Sequence, residues 1–136
     1  MGAWGYGAFD NDTAGDWVYA LEEAEDLDVI EAALDAVVDV GDEYLEAAEA
    51  EVALAAAAVV ALLQAGEDAP ECVNETVNEW VAGHPQDVPW KLAKKTVAAL
   101  DRILTEPSEL LELWSETEDF DAWQTSIVEL KTGIVL

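Results

Sequence analysis

Residues 52–63 read VALAAAAVVALL, twelve apolar residues without a charge or a turn former, half of them alanine. The run falls well short of the ~20 apolar residues needed to span a bilayer. A helix that is apolar all round is one that its neighbours surround. The stretch therefore predicts a buried central helix from about Tyr44 to Ala65, with Glu46, Glu49 and Glu51 near its positive N-terminal end and Gly66 after its last turn.

Helical periodicity recurs on both sides of this segment, and alternating strand patterns do not. Ala14, Trp17, Val18 and Leu21 share one stripe of a first helix that runs to about Ala24. Leu27, Ile30, Leu34 and Val37 mark a second, with Asp26 placed to cap it and Gly41 to close it. Pro70 opens a fourth helix, with Val73, Val77, Trp80 and Val81 inward, which ends at Gly83. After the turn-rich link GHPQDVP, a fifth helix from about Val88 to Thr105 carries Trp90, Ala93, Val97, Leu100 and Leu104 on its apolar stripe. Pro107 separates a short sixth helix with Leu110, Leu113 and Trp114 inward, and Phe120, Trp123, Ile127, Leu130 and Ile134 mark a seventh. The expected architecture is all-α: one compact domain over residues 1–136, about seven helices packed around the Ala-rich central one, with a Gly/Trp-rich N-terminal arm at 1–10.

Length agrees with one domain, since a 136-residue chain buries roughly two-thirds of its unfolded surface. Because much of the apolar content is alanine, the six Trp together with Leu and Val must supply most of the contact area. Charge is the strongest global signal: 31 Asp and Glu stand against 5 Lys and Arg, a formal net charge of -26. Self-repulsion of that size opposes a compact state, whereas in molar salt the Debye length falls to about 3 Å and the repulsion is largely screened. The balance predicts adaptation to a salty cytoplasm. An acidic inhibitor that covers a basic protein, or a nucleic-acid mimic, would carry the same signature.

The same charge disfavours direct nucleic-acid binding, which relies on Lys and Arg neutralising phosphates, and an acidic membrane surface would repel the chain. MGAWGYG has no basic n-region or apolar h-region, and Tyr6 breaks the myristoylation pattern, so a cytoplasmic protein is expected. Cys72 stands alone, which excludes an internal disulfide and a Cys-built metal site. The sequons at Asn11 and Asn74 are read as chance.

Nucleophilic catalysis is poorly served. The one His, His84, sits in a Gly-His-Pro turn, and no glycine elbow surrounds Ser108, Ser115 or Ser126. The opening MGAWGYGAFDNDTAGDW places Asp10, Asp12 and Gly15 at positions one, three and six of a calcium loop. Ala14 then falls at the fifth position and Leu21 at the twelfth, where a bidentate Glu is needed. Asp12 and Asp16, one turn apart, are the residual metal candidates, and no cofactor is expected. Capping explains the same acids: Asp10 as N-cap with Phe9 as a hydrophobic staple, or Thr13 as N-cap with Asp16 completing a capping box.

Two further features suggest a binding surface. Trp4 stands in the glycine-rich arm and, with Phe9, either docks on the helices or remains available to a partner. The fifth helix holds Lys91, Lys94, Lys95 and Arg102, four of the five basic residues, against Asp101 alone. Lys91, Lys95 and Arg102 share a face that serves either as an internal counter-ion to the acidic helices or as a partner site.

Trp4-Gly5, Gly7, Phe9, Asn11-Asp12, Ala14 and Asp16-Trp17 resemble the start of a small bacterial and archaeal family catalogued as domain of unknown function 4259. The acidic second helix, the Ala-rich third and the segment from Ser108-Glu109-Leu110 to Leu113-Trp114 extend the similarity across nearly the whole chain. The resemblance implies a cytosolic helical protein of uncharacterised activity and supplies no catalytic residues. The expected function is non-enzymatic: a salt-adapted acidic protein acting through protein contact with a basic partner, in a narrower form an immunity-type inhibitor. The alternative is a divalent-metal protein or metal-dependent enzyme using the N-terminal carboxylates.

Overall fold

The computed structural model of the chain describes residues 7–70, 72 and 74–136. Each apolar stripe becomes a helix: α1 (Asp12–Glu23), α2 (Asp28–Val38), α3 (Ala47–Ala65), α4 (Glu75–Gly83), α5 (Trp90–Ile103), α6 (Glu109–Ser115) and α7 (Phe120–Gly133), with a short 3-10 turn at Gly66–Asp68 after α3. No strand forms among the described residues.

All six other helices pack against α3. Its composition makes that arrangement possible. Ala50, Ala53, Ala55, Ala56 and Ala57 are fully buried, and side chains this small let neighbouring helices approach closely without loss of rotamer freedom. Bulk comes from the surrounding helices, through Leu21, Ile30, Leu34, Leu100, Ile103 and Trp123. By length and hydropathy α3 and its flank could cross a bilayer, yet in this fold it is the helix that the others enclose.

The expected stripes of α1, α2 and α7 lie against the core, but the helix starts follow different rules from those expected. Asn11, rather than Asp10 or Thr13, caps α1: its Oδ1 accepts from the Ala14 N–H at 2.7 Å. Asp10 instead accepts from the Gly7 N–H at 3.1 Å, one turn earlier. Asn74 caps α4 through the Val77 N–H, so that helix begins after Pro70 rather than at it. Expected Val73 lies outside the described residues. Helix α3 starts at Ala47 rather than Tyr44, because the Leu45 backbone is drawn into a parallel bridge with Ser108 and cannot be helical.

Helix α5 meets the core with Ala93, Val97, Leu100 and Leu104 of the expected stripe, but it is turned so that the centre of its buried face lies to one side of them. Its buried residues are Leu92, Ala93, Thr96, Ala99, Leu100 and Ile103, while Trp90 is 59% exposed with the Lys94 ammonium 4.6 Å above its ring. Thr96 misleads the pattern: it scores as polar, but its hydroxyl donates to the Leu92 carbonyl at 2.8 Å and so enters the core satisfied. The remaining described Trp residues meet the core. Trp114 stacks on Trp123 at 6.0 Å, and the Trp80 indole donates to the Ala24 carbonyl at 2.9 Å.

Candidate functional site

The basic face of α5 does not converge on one point. Lys95 bridges to Asp35 at 2.7 Å and Glu31 at 3.3 Å on α2, and the hydrogen bond to Asp35 contributes most to holding its ammonium above the usual lysine range. Arg102, two turns on, donates to four backbone carbonyls: Gly41 (2.8 Å), Glu43 (2.6 Å), Thr105 (2.7 Å) and Pro107 (2.9 Å). Its planar fork joins the α2–α3 loop to the α5–α6 loop in a way an ammonium could not match. Lys91 is exposed beside the Trp90–Lys94 pair.

Around the N-terminal end of α3 these links form a junction. The Leu45 N–H donates to Pro107 O at 3.2 Å and the Glu109 N–H to Leu45 O at 2.9 Å. The Glu109 carboxylate accepts from the Ala47 N–H at 2.8 Å, so a side chain from α6 caps α3. The Tyr44 hydroxyl donates to Glu112 at 2.7 Å, and that bond to a carboxylate pushes its pKa up to about 12. Glu51, buried one turn inside α3, has its carboxyl pushed up by burial, with the charges of Asp12 and Glu109 adding to the effect. Among the described residues no three His, Cys, Asp or Glu side chains are placed to hold a metal ion.

The opening motif folds back onto the body. Phe9 is buried in the core, and Trp17 packs against it. Gly7 and Asp10 close a turn in which a Cβ on Gly7 would sit 2.6 Å from the Asp10 carboxylate, so a side chain there would push that carboxylate off the Gly7 N–H. Asp12 and Asp16 are both exposed on α1. Trp4 lies outside the described residues.

At the opposite end of α3 lies a groove of about 860 Å³ that the sequence did not reveal. The last turns of α3 and α4 wall it with Leu62, Val81 and Ala82, and the link to α5 supplies Pro85 and Asp87. Two of its three amides are committed to the fold, while the Gln86 amide donates only to the His84 carbonyl, at 3.4 Å. Gln64 donates to Val135 O (2.8 Å) and accepts from the Val135 N–H (2.9 Å), while Asn78 makes the same reciprocal pair with Cys72 at 3.0 and 2.9 Å. His84 stacks on Trp80 at 4.5 Å with its Nδ1 2.8 Å from the Trp80 carbonyl, and the Cys72 thiol donates to Asn74 O. The carboxylates of Glu67 and Asp87 supply the groove's charge. No sequence pattern marks it, because its walls take shape only when the ends of α3 and α4 and the link to α5 come together.

The family model described as domain of unknown function (DUF4259) matches residues 2–126. The chain belongs to the DUF4259 family. No curated protein and no solved structure matches it. In this DUF4259 member the described residues of the opening motif have structural roles: Gly7 makes the turn, Asn11 caps α1, and Phe9 and Ala14 enter the core.

Proposed function

We propose that this DUF4259 protein is a non-enzymatic, salt-adapted cytoplasmic domain that acts by contact with a basic protein partner. The observation that supports this reading is the disposition of charge. Of the five cations, Lys95 and Lys131 pair with this chain's own carboxylates and Arg102 binds its own carbonyls, so most of the 31 acids face solvent unopposed. Such a surface steers a cationic protein toward it and repels nucleic acid and acidic membranes. The narrower form is an immunity-type inhibitor that covers a basic toxin.

Capture from a lysate of the source organism at its native salt tests the contact. Independent baits carrying the tag at either end are expected to recover the same basic protein. Recovery of no common partner sinks the proposal. The salt adaptation has a separate check: circular dichroism against KCl is expected to show helix content and cooperativity rising with salt, and full stability at low salt refutes it.

A further inference from the structure

Resting on that reading, we infer that the groove at the C-terminal end of α3 is the docking site for a lysine- or arginine-bearing segment of the partner protein. Two helices end at it. The last turns of α3 and α4 contribute Leu62 and Val81 to its walls, and neither last turn holds a basic residue. Each terminus presents the equivalent of roughly half a negative charge. Glu67 and Asp87 add full charges, and among the described residues no cation lines the groove.

The hydrogen-bonding capacity points the same way. The amides of Gln64 and Asn78 are closed in reciprocal pairs with backbone, so they have little to offer an anion. What the groove presents is apolar wall below and, at its edge, the two carboxylates of Glu67 and Asp87 with the neutral amide of Gln86 beside them. That matches a side chain with an aliphatic stem and a cationic head, the form of Lys and Arg. The volume, about 860 Å³, lies in the range of pockets that take a drug-sized ligand, ample for one Lys or Arg side chain.

The test is an amide NMR titration of the full-length protein in molar KCl, where diffuse attraction to the acidic surface is screened. The probes are acetyl-Gly-Leu-Arg-Leu-Gly-amide and the same peptide with Gln in place of Arg. The Arg peptide is expected to shift the amides of Gly66, Glu67, Ala82 and Asp87, and the Gln peptide to bind at least about fivefold more weakly. Glu67→Gln/Asp87→Asn is expected to lower affinity for the Arg peptide by a similar factor, and Ala82→Trp, which fills the groove, by about tenfold or more. Equal binding of the two peptides, shifts spread over α1 and α2 instead of the groove, or no shift up to the solubility limit would each overturn the assignment. The same Ala82→Trp protein used as bait separates the two levels. If it captures the wild-type partner undiminished, the groove assignment falls and the protein-contact reading stands.

Discussion

At the N-terminal end of α3, the loops before α3 and before α6 are tied by the Leu45–Ser108 bridge, by Arg102 across four carbonyls, by Glu109 on the Ala47 N–H and by Tyr44 on Glu112. At its C-terminal end the corresponding links are the Gln64–Val135 pair and a glycine cap, and the space between α3 and α4 stays open. The asymmetry has a chemical origin. A helix N-terminus offers free N–H donors and a positive dipole end, which an acid-rich chain satisfies from its own carboxylates. A C-terminus offers carbonyls and a negative dipole end, and this chain has few cations to place there. Lys95, Arg102 and Lys131 are committed elsewhere, and none of the five cations lines the open end, so the contrast between a braced end and an open end follows from the composition and its placement.

The largest test of this contrast removes the brace. Arg102→Ala is expected to cost about 1–2 kcal/mol in urea unfolding at fixed molar KCl, since four charge-assisted bonds that tie the two loops are lost, while the exposed carbonyls of Gly41, Glu43, Thr105 and Pro107 turn to water. Arg102→Lys should restore only part of it. A loss below about 0.5 kcal/mol, the range of an ordinary surface change, would show that the junction is not a brace.

The cap supplied in trans comes next. Glu109→Ala is expected to cost about 1 kcal/mol, as for an ordinary N-cap, whereas Glu109→Gln keeps an acceptor and should fall close to wild type. Equal losses in the two variants would assign the effect to charge instead of to the hydrogen bond.

Glu51 gives a smaller, pH-dependent effect of opposite sign. Its carboxyl is pushed up by burial, so the folded protein holds a proton more tightly there than the unfolded chain does. Stability therefore falls as pH rises from the ordinary glutamate range through the raised value, and the penalty is complete above it. Glu51→Gln is expected to raise the unfolding midpoint at neutral pH and to leave it unchanged in acid below the ordinary range. A gain of the same size at both pH values would count against the burial explanation.

At the open end the smallest effect on stability is expected. Ala82→Trp places a large ring over a groove that the core does not need, and should change unfolding free energy by no more than about 0.5 kcal/mol. A loss well beyond 1 kcal/mol would mean that the two ends are equally packed, and would dissolve the comparison.

The stripe of α1 could be read directly, because Ala14, Val18 and Leu21 recur with the helical period and need no partner to be recognised. The stripe of α5 was read only in part: Ala93 and Leu100 are buried and Val97 and Leu104 pack against the core, but Thr96 counts as polar until its hydroxyl is seen bonded to Leu92 O, and Trp90 counts as core until it is seen at the first position of the helix under Lys94. Of the residues expected to form a binding surface, Phe9 enters the core, while Lys95 and Arg102 meet partners on other segments. The groove could not be read at all, since no local pattern distinguishes a helix end that is covered from one that is not.

The sequence by itself determined that this chain is helical, that VALAAAAVVALL is enclosed by its neighbours, and that the surface is strongly anionic, because hydrophobic period and charge count are properties of the chain taken a few residues at a time. The tertiary structure decided where α3 begins, which side of α5 faces inward and which end of the central helix stays open. Those outcomes depend on hydrogen bonds between residues about sixty positions apart, such as Ala47 with Glu109 and Gly41 with Arg102, and such pairs exist only once the helices have packed.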